Sequence, residues 1–298
     1  MTGRSGAPPA SSPVATASPA ELRVETLRLA LPLGVSRAVA FADGQTVLLA
    51  GGLTSGGTTA SVLRIDLATG AITTDGSLAT AVHDAGGALV GGTPAVFGGG
   101  NTAPESVVQR YAAGRGTVIG QLPAIRADLV AVEVSGVTFV LGGGTPAELD
   151  AAVLSTTDGV HFNPVSNLLD PVRYPAVAAI GGSIIVVGGT DGTHDLHTIQ
   201  VINAASGSVR RLGELPHGLS HASALVIDGH LLLAGGRTGG VAQDTIWEVD
   251  PSSGSVRVVG HLPKPVSDMA STVVGNVGYL VGGETSDYVA SIVSITFG

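Results

Sequence analysis

The chain has 298 residues with 45 glycines, 16 prolines and only 12% charged residues, which suits short strands joined by tight turns and disfavours long, salt-bridged helices. A formal net charge of −9 with no basic run gives no electrostatic footprint for nucleic acid, and the absence of cysteine removes disulfides, thiolate metal sites and cysteine nucleophiles together. Mean hydropathy is +0.43, yet no apolar run reaches the ~18–20 residues that cross a bilayer, so no membrane insertion by this segment is expected.

In chain order, residues 1–20 come first and are rich in Ala, Pro, Ser and Thr. That composition buries too little apolar surface to offset ordering, so a disordered linker is expected. Such a stalk suits a tether, and it implies an extracellular or cell-surface domain cut from a larger surface protein. Residues 21–298 are then one repeat domain. An apolar run closes on a glycine pair six times, with first glycines Gly51, Gly98, Gly142, Gly188, Gly235 and Gly282 at intervals of 47, 44, 46, 47 and 47 residues. Blades of β-propellers repeat at roughly 40–50 residues.

Four strand-length pieces recur in each period, most plainly His221 to Ile227, Leu231 to Ala234, Thr245 to Val249 and Ser255 to Val259. The first two are joined by Asp228-Gly229, and elsewhere by Asp43-Gly44 or Gly181-Gly182, dipeptides that favour the positive φ of tight hairpins. The last unit, from Asp268 to Gly298, supplies three strands and no fourth. The segment Leu22 to Leu33 is expected to supply it. The expectation is an all-β, six-bladed β-propeller of four-stranded antiparallel blades, closed by an N-terminal strand that completes the last blade.

Leu231-Leu232-Leu233-Ala234-Gly235-Gly236 followed by Trp247-Glu248-Val249-Asp250, and Val47 to Gly52 followed by Arg64-Ile65-Asp66, resemble the Kelch repeat. The resemblance covers about Leu22 to Gly298. At the usual Tyr position stand Ile65, Tyr111, Ile202 and Val249, and at the usual Trp position Ile72, Val118, Phe162, Val209 and Val256. Aliphatic side chains are expected to fill the same space between sheets.

In such a fold the first strand of each unit lines the channel, and its start shares a face with the glycine pair. Fourteen residues before each first glycine stand Arg37, Asp84, Asp128, Tyr174, His221 and Asp268, polar at all six places. Asn101, Asp191, Arg237 and Glu284 follow the glycine pairs beside them. The ten together are the expected ligand-binding mouth. The competing reading is that strand starts are polar simply because they face solvent. The residues Asp191, His194, Asp195 and His197 are of metal-ligating types but lie in one loop with no frame to aim them, so neither metal nor cofactor is expected.

No serine lies in a Gly-x-Ser-x-Gly elbow, and the glycine pairs end strands rather than opening a helix, which leaves serine hydrolase chemistry and nucleotide binding without support. The resemblance implies a monomeric, non-catalytic binding or sensor module for a protein, peptide or cell-envelope ligand. The alternative is an enzyme with its site at the mouth, sugar epimerase-like or metal-dependent lyase-like. With 3% aromatic residues, platforms for stacking a sugar are few.

Overall fold

The computed structural model describes residues 21–298, and the linker expected over residues 1–20 lies outside the described residues. Short apolar runs bounded by glycine become strands, and every named element among the described residues is a β-strand. In one unit Ala176–Ile180, Ser183–Val187, Thr198–Asn203 and Val209–Glu214 pair antiparallel in that order. The turn between the first two is Gly181-Gly182, both at positive φ, as is Asp228-Gly229 in the next unit. In the first unit Asp43 pairs with Thr46, which shifts the turn from the expected Asp43-Gly44 to Gly44-Gln45.

Four sheets of four strands stand separate, and a fifth sheet has eight. The eight-stranded sheet consists of two such units joined through a single parallel pair, Ser77 with Arg115. A side-chain tie holds that junction: Asp75 accepts hydrogen bonds from Arg64 Nε at 2.7 Å and from Tyr111 Oη at 2.7 Å. Gly76 permits the approach, since a Cβ there would sit 1.9 Å from the Gly114 carbonyl oxygen.

The chain's two ends meet in one sheet. Leu22–Ala30 runs antiparallel to Ser291–Phe297, from the pair Leu22 with Phe297 to the pair Ala30 with Ser291. The pairing gives the last unit its outer strand from the opposite end of the chain.

The core lies between neighbouring sheets as aliphatic clusters, for example Ile185, Val187 and Ile199 against Leu231, Leu233 and Val249. Ile65, Ile202 and Val249 are buried there, as expected for aliphatic replacements of an aromatic. Val118 is not: it is 48% exposed. The ladder pairs Tyr111 with Gly116, whereas Ile65 pairs with Ile72, so Gly116 stands where Ile72 does and Val118 stands two places further along, at the position of the exposed Thr74.

One core position breaks the aliphatic rule. Two residues before each mouth residue the chain places Val35, Val82, Val172, Leu219 or Val266, all buried, but in the third unit it places Arg126, only 1% exposed. Its guanidinium pairs with Asp150 and donates from Nη1 to the Ala152 carbonyl at 3.2 Å, while Nε has no partner. Removing one member of a buried pair leaves a desolvated charge and a cavity, which costs about 3–5 kcal/mol. Arg126→Ala is therefore expected to lower the unfolding free energy by about 3 kcal/mol or more in urea titrations. A loss below about 1 kcal/mol, the worth of an exposed pair, would contradict this reading.

Candidate functional site

Arg37, Asp84, Asp128, Tyr174, His221 and Asp268 all adopt the left-handed backbone conformation, with φ between 50° and 62°. This turn lets each residue hydrogen-bond to its counterpart in the next unit rather than to its own sheet. Arg37 N–H donates to the Asp268 carbonyl, Asp84 to Arg37, Asp128 to Asp84, Tyr174 to Asp128, His221 to Tyr174 and Asp268 to His221, at 2.8–3.1 Å. The six form a closed circle. Asp and His tolerate this conformation better than most residues, which accounts for four of the six identities without invoking solvent.

A second circle surrounds the first. The second glycines, Gly52, Gly99, Gly143, Gly189, Gly236 and Gly283, donate to the carbonyls of Val82, Arg126, Val172, Leu219, Val266 and Val35, at 2.8–3.0 Å. Each is also at positive φ, and a Cβ on Gly52 would meet Val35 at 2.6 Å.

The mouth side chains turn inward and pair with one another. Arg37 reaches Asp84 and the Tyr174 hydroxyl, each at 3.3 Å, and Tyr174 Oη also donates to Asp84 at 3.2 Å, so the contacts link units far apart in the chain. His221 Nδ1 lies 2.7 Å from Asp268, and its ring stacks on Tyr174 with centroids 3.7 Å apart. Side chains of Asp84, Asp128 and Asp268 are 8%, 2% and 3% exposed, which contradicts the solvent-facing reading of these positions. The cavity left between them is about 110 Å³, and a second of about 260 Å³ continues along the channel between alanines and glycines of the inner strands.

Of the four expected neighbours, two join the cluster. Glu284 accepts from Arg37 Nε at 3.3 Å and from Arg237 Nη2 at 2.7 Å. Asn101 and Asp191 do not reach it: both are exposed, and Asp191 instead accepts the backbone N–H groups of Thr193 and His194. The reason is register. The residue two past each first glycine bridges back to the residue before a mouth position, as Arg237 does with Ser220 and Glu284 with Ser267. Asn101 and Asp191 stand one place further on, and Gly100 and Thr190 make the bridges.

The same bridge identifies members missed in the sequence. Ser36 donates to Glu284 at 3.1 Å, Ser267 to Asp268 at 2.7 Å, and Arg173 pairs with Asp128. Ser36, Arg173 and Ser267 each directly precede a mouth residue, and that is the signal that could have found them. Among the described residues no group of three or more metal-ligating side chains converges, and Asp195 caps the Gly239 N–H instead.

The electrostatics follow from this burial. Desolvation, against the pull of Arg37 and with the push of Asp128 and Asp268, raises Asp84 to about 7. Burial also works against the Asp268 carboxylate, but hydrogen bonds from His221 and Ser267 hold it below the usual range. Burial and then the charge of Arg37 lower His83, and burial with Asp84 and Asp128 raises the Tyr174 hydroxyl, which stays a donor.

A raised carboxyl binds its proton more tightly in the folded than in the unfolded chain, so its contribution is fully present below about pH 4 and lost as pH rises to about 7. Asp268 acts oppositely and at lower pH, where its contribution disappears as the carboxylate is protonated. Asp84→Asn, neutral throughout, is expected to flatten the fall in urea midpoint between pH 5 and pH 8. An unchanged fall would show that Asp84 does not carry that proton.

With this geometry in place, comparison with known proteins gives three findings. The Kelch motif matches twice, at residues 171–216 and 218–263. A solved structure, titled "Structure of YjhT", superposes with a TM-score of 0.76 at 17% identity, covering 90% of this chain and 96% of that one, a likeness of fold. Comparison with curated protein sequences finds no match.

Proposed function

From the premise that this chain is a Kelch-repeat β-propeller, we propose that it is a six-bladed, non-catalytic binding module that presents its mouth face to a protein, peptide or cell-envelope ligand. The eight-stranded sheet counts as two blades in this reading, because its halves share one strand pair and both hydrogen-bond circles have six members. The observation that carries the functional reading is the closed mouth. Its polar groups already pair with one another around about 110 Å³, against roughly 300–1,000 Å³ for small-molecule sites. Tyr174, the only aromatic among the six, is already stacked by His221.

The surface around that mouth is different in kind. Leu33, Ile125 and Leu169 lie in connections leading into inner strands, and Val241 in the short hairpin after Gly235-Gly236, which puts all four at the mouth end of their sheets. They are 51%, 53%, 51% and 65% exposed. Apolar side chains on loops around a rigid polar hub suit a macromolecular partner, with Asn101 and Asp191 as polar contacts at the rim. The proposal further treats the module as monomeric and carried at the cell surface, with residues 1–20 as its tether.

The immobilised protein is expected to retain a ligand from an envelope extract of its own cells. Combined Leu33→Asp, Ile125→Asp, Leu169→Asp and Val241→Asp substitution is expected to weaken retention at least about tenfold, the scale of a lost hot spot. Thermal unfolding should barely move, because these side chains support no core. Undiminished retention by the variant, or none by the unaltered protein, contradicts the proposal.

A further inference from the structure

A further cavity lies away from the mouth. About 550 Å³ opens between the two halves of the eight-stranded sheet, at the end of the strands opposite the circle of mouth residues. Its polar side carries Arg64, Asp43, Asp75 and Tyr111, and its apolar side includes Leu48, Leu89 and Pro94. The size is that of a small-molecule site.

The repeat does not require this lining. Where Tyr111 and Asp75 stand, other units place aliphatic residues: Ile202 and Val249 at the first position, Leu212 and Val259 at the second. A tie between units needs Arg64, Asp75 and Tyr111, but it accounts for neither the second carboxylate nor the open volume. Arg64 is bracketed by two acids, with Nε donating to Asp75 at 2.7 Å and Nη1 to Asp43 at 2.8 Å. One guanidinium therefore faces two carboxylates, and the lining keeps an uncompensated negative charge.

The acceptors are also not exhausted. Each Asp75 oxygen takes one hydrogen bond, from Arg64 or from Tyr111, and a carboxylate oxygen has room for two. Asp43 has a side chain 52% exposed at the rim. The hydrogen bond from Arg64, then that from Tyr111, keeps Asp75 below the usual carboxylate range, so it stays an acceptor for a cation.

We propose that this cavity binds a primary amine with an apolar body, its ammonium on the acceptor sites of Asp43 and Asp75 that Arg64 leaves free and its chain against Leu48, Leu89 and Pro94. A free carboxylate ligand would meet two acids and one already engaged guanidinium. The net charge of −9 draws cations toward the molecule as a whole. The site stands apart from the mouth face, so its fate and that of the partner surface are independent.

Hexylamine and hexanoate titrated into the full chain, followed by amide shifts in NMR spectra, separate the outcomes. Saturable shifts around the cavity are expected with hexylamine, with affinity at least about fivefold weaker in Asp43→Asn and at least about fivefold weaker for hexanoate. A melting temperature measured on Asp43→Asn controls for folding. Equal binding of hexanoate, undiminished binding in the variant, or no saturation with hexylamine overturns the proposal.

Discussion

The structure depends on a circle of six backbone hydrogen bonds, one from each mouth residue to the one before it around the axis. Apart from this circle, the outer circle of glycine bonds and the pair of Ser77 with Arg115, neighbouring sheets meet mainly through side chains, which pack but set no fixed angle. The circle fixes that angle, and it closes only because Arg37, near the chain's beginning, donates to Asp268, near its end. Placing six non-glycine residues at positive φ costs on the order of 1 kcal/mol each. The inter-unit bonds and the second circle from the glycine pairs offset that strain, and the antiparallel pairing of Leu22–Ala30 with Ser291–Phe297 locks the same seam from outside.

This constraint also decides what the mouth can do. A circle tight enough for direct backbone bonds brings six side chains together, and they pair with one another. Three arginines, Arg37, Arg173 and Arg237, meet Asp84, Asp128, Asp268 and Glu284, and burial raises Asp84, which eases the excess of acid. Around the mouth, the loops expose apolar side chains, which is where the proposed recognition would occur. The hub holds those loops in place.

The architecture was legible because its determinants are local and periodic. Glycine pairs are needed wherever the outer circle forms, so their spacing reports the repeat directly. Strand limits were legible to within two residues in the fifth unit, where Ser223–Ile227, His230–Ala234, Thr245–Val249 and Val256–His261 stand near the expected pieces. The mouth residues were legible by counting, but their burial was not, since polar identity at a strand start reads the same whether it serves solvent or a left-handed turn. Asn101 and Asp191 show how a shift of one residue separates a bridge position from the loop beyond it. Val118 shows a two-residue offset in a strand, where Gly116 takes the place of Ile72 and Val118 that of the exposed Thr74. Arg126 was illegible because nothing local marks an arginine that replaces a core valine.

Amide hydrogen exchange at Arg37, Asp84, Asp128, Tyr174, His221 and Asp268 tests the closed circle most directly. All six are expected to exchange at the slow rate of the innermost strands, because opening one bond of the circle requires parting two sheets. If any one of them exchanged as fast as the exposed loops, the circle would not be the constraint that holds this structure together.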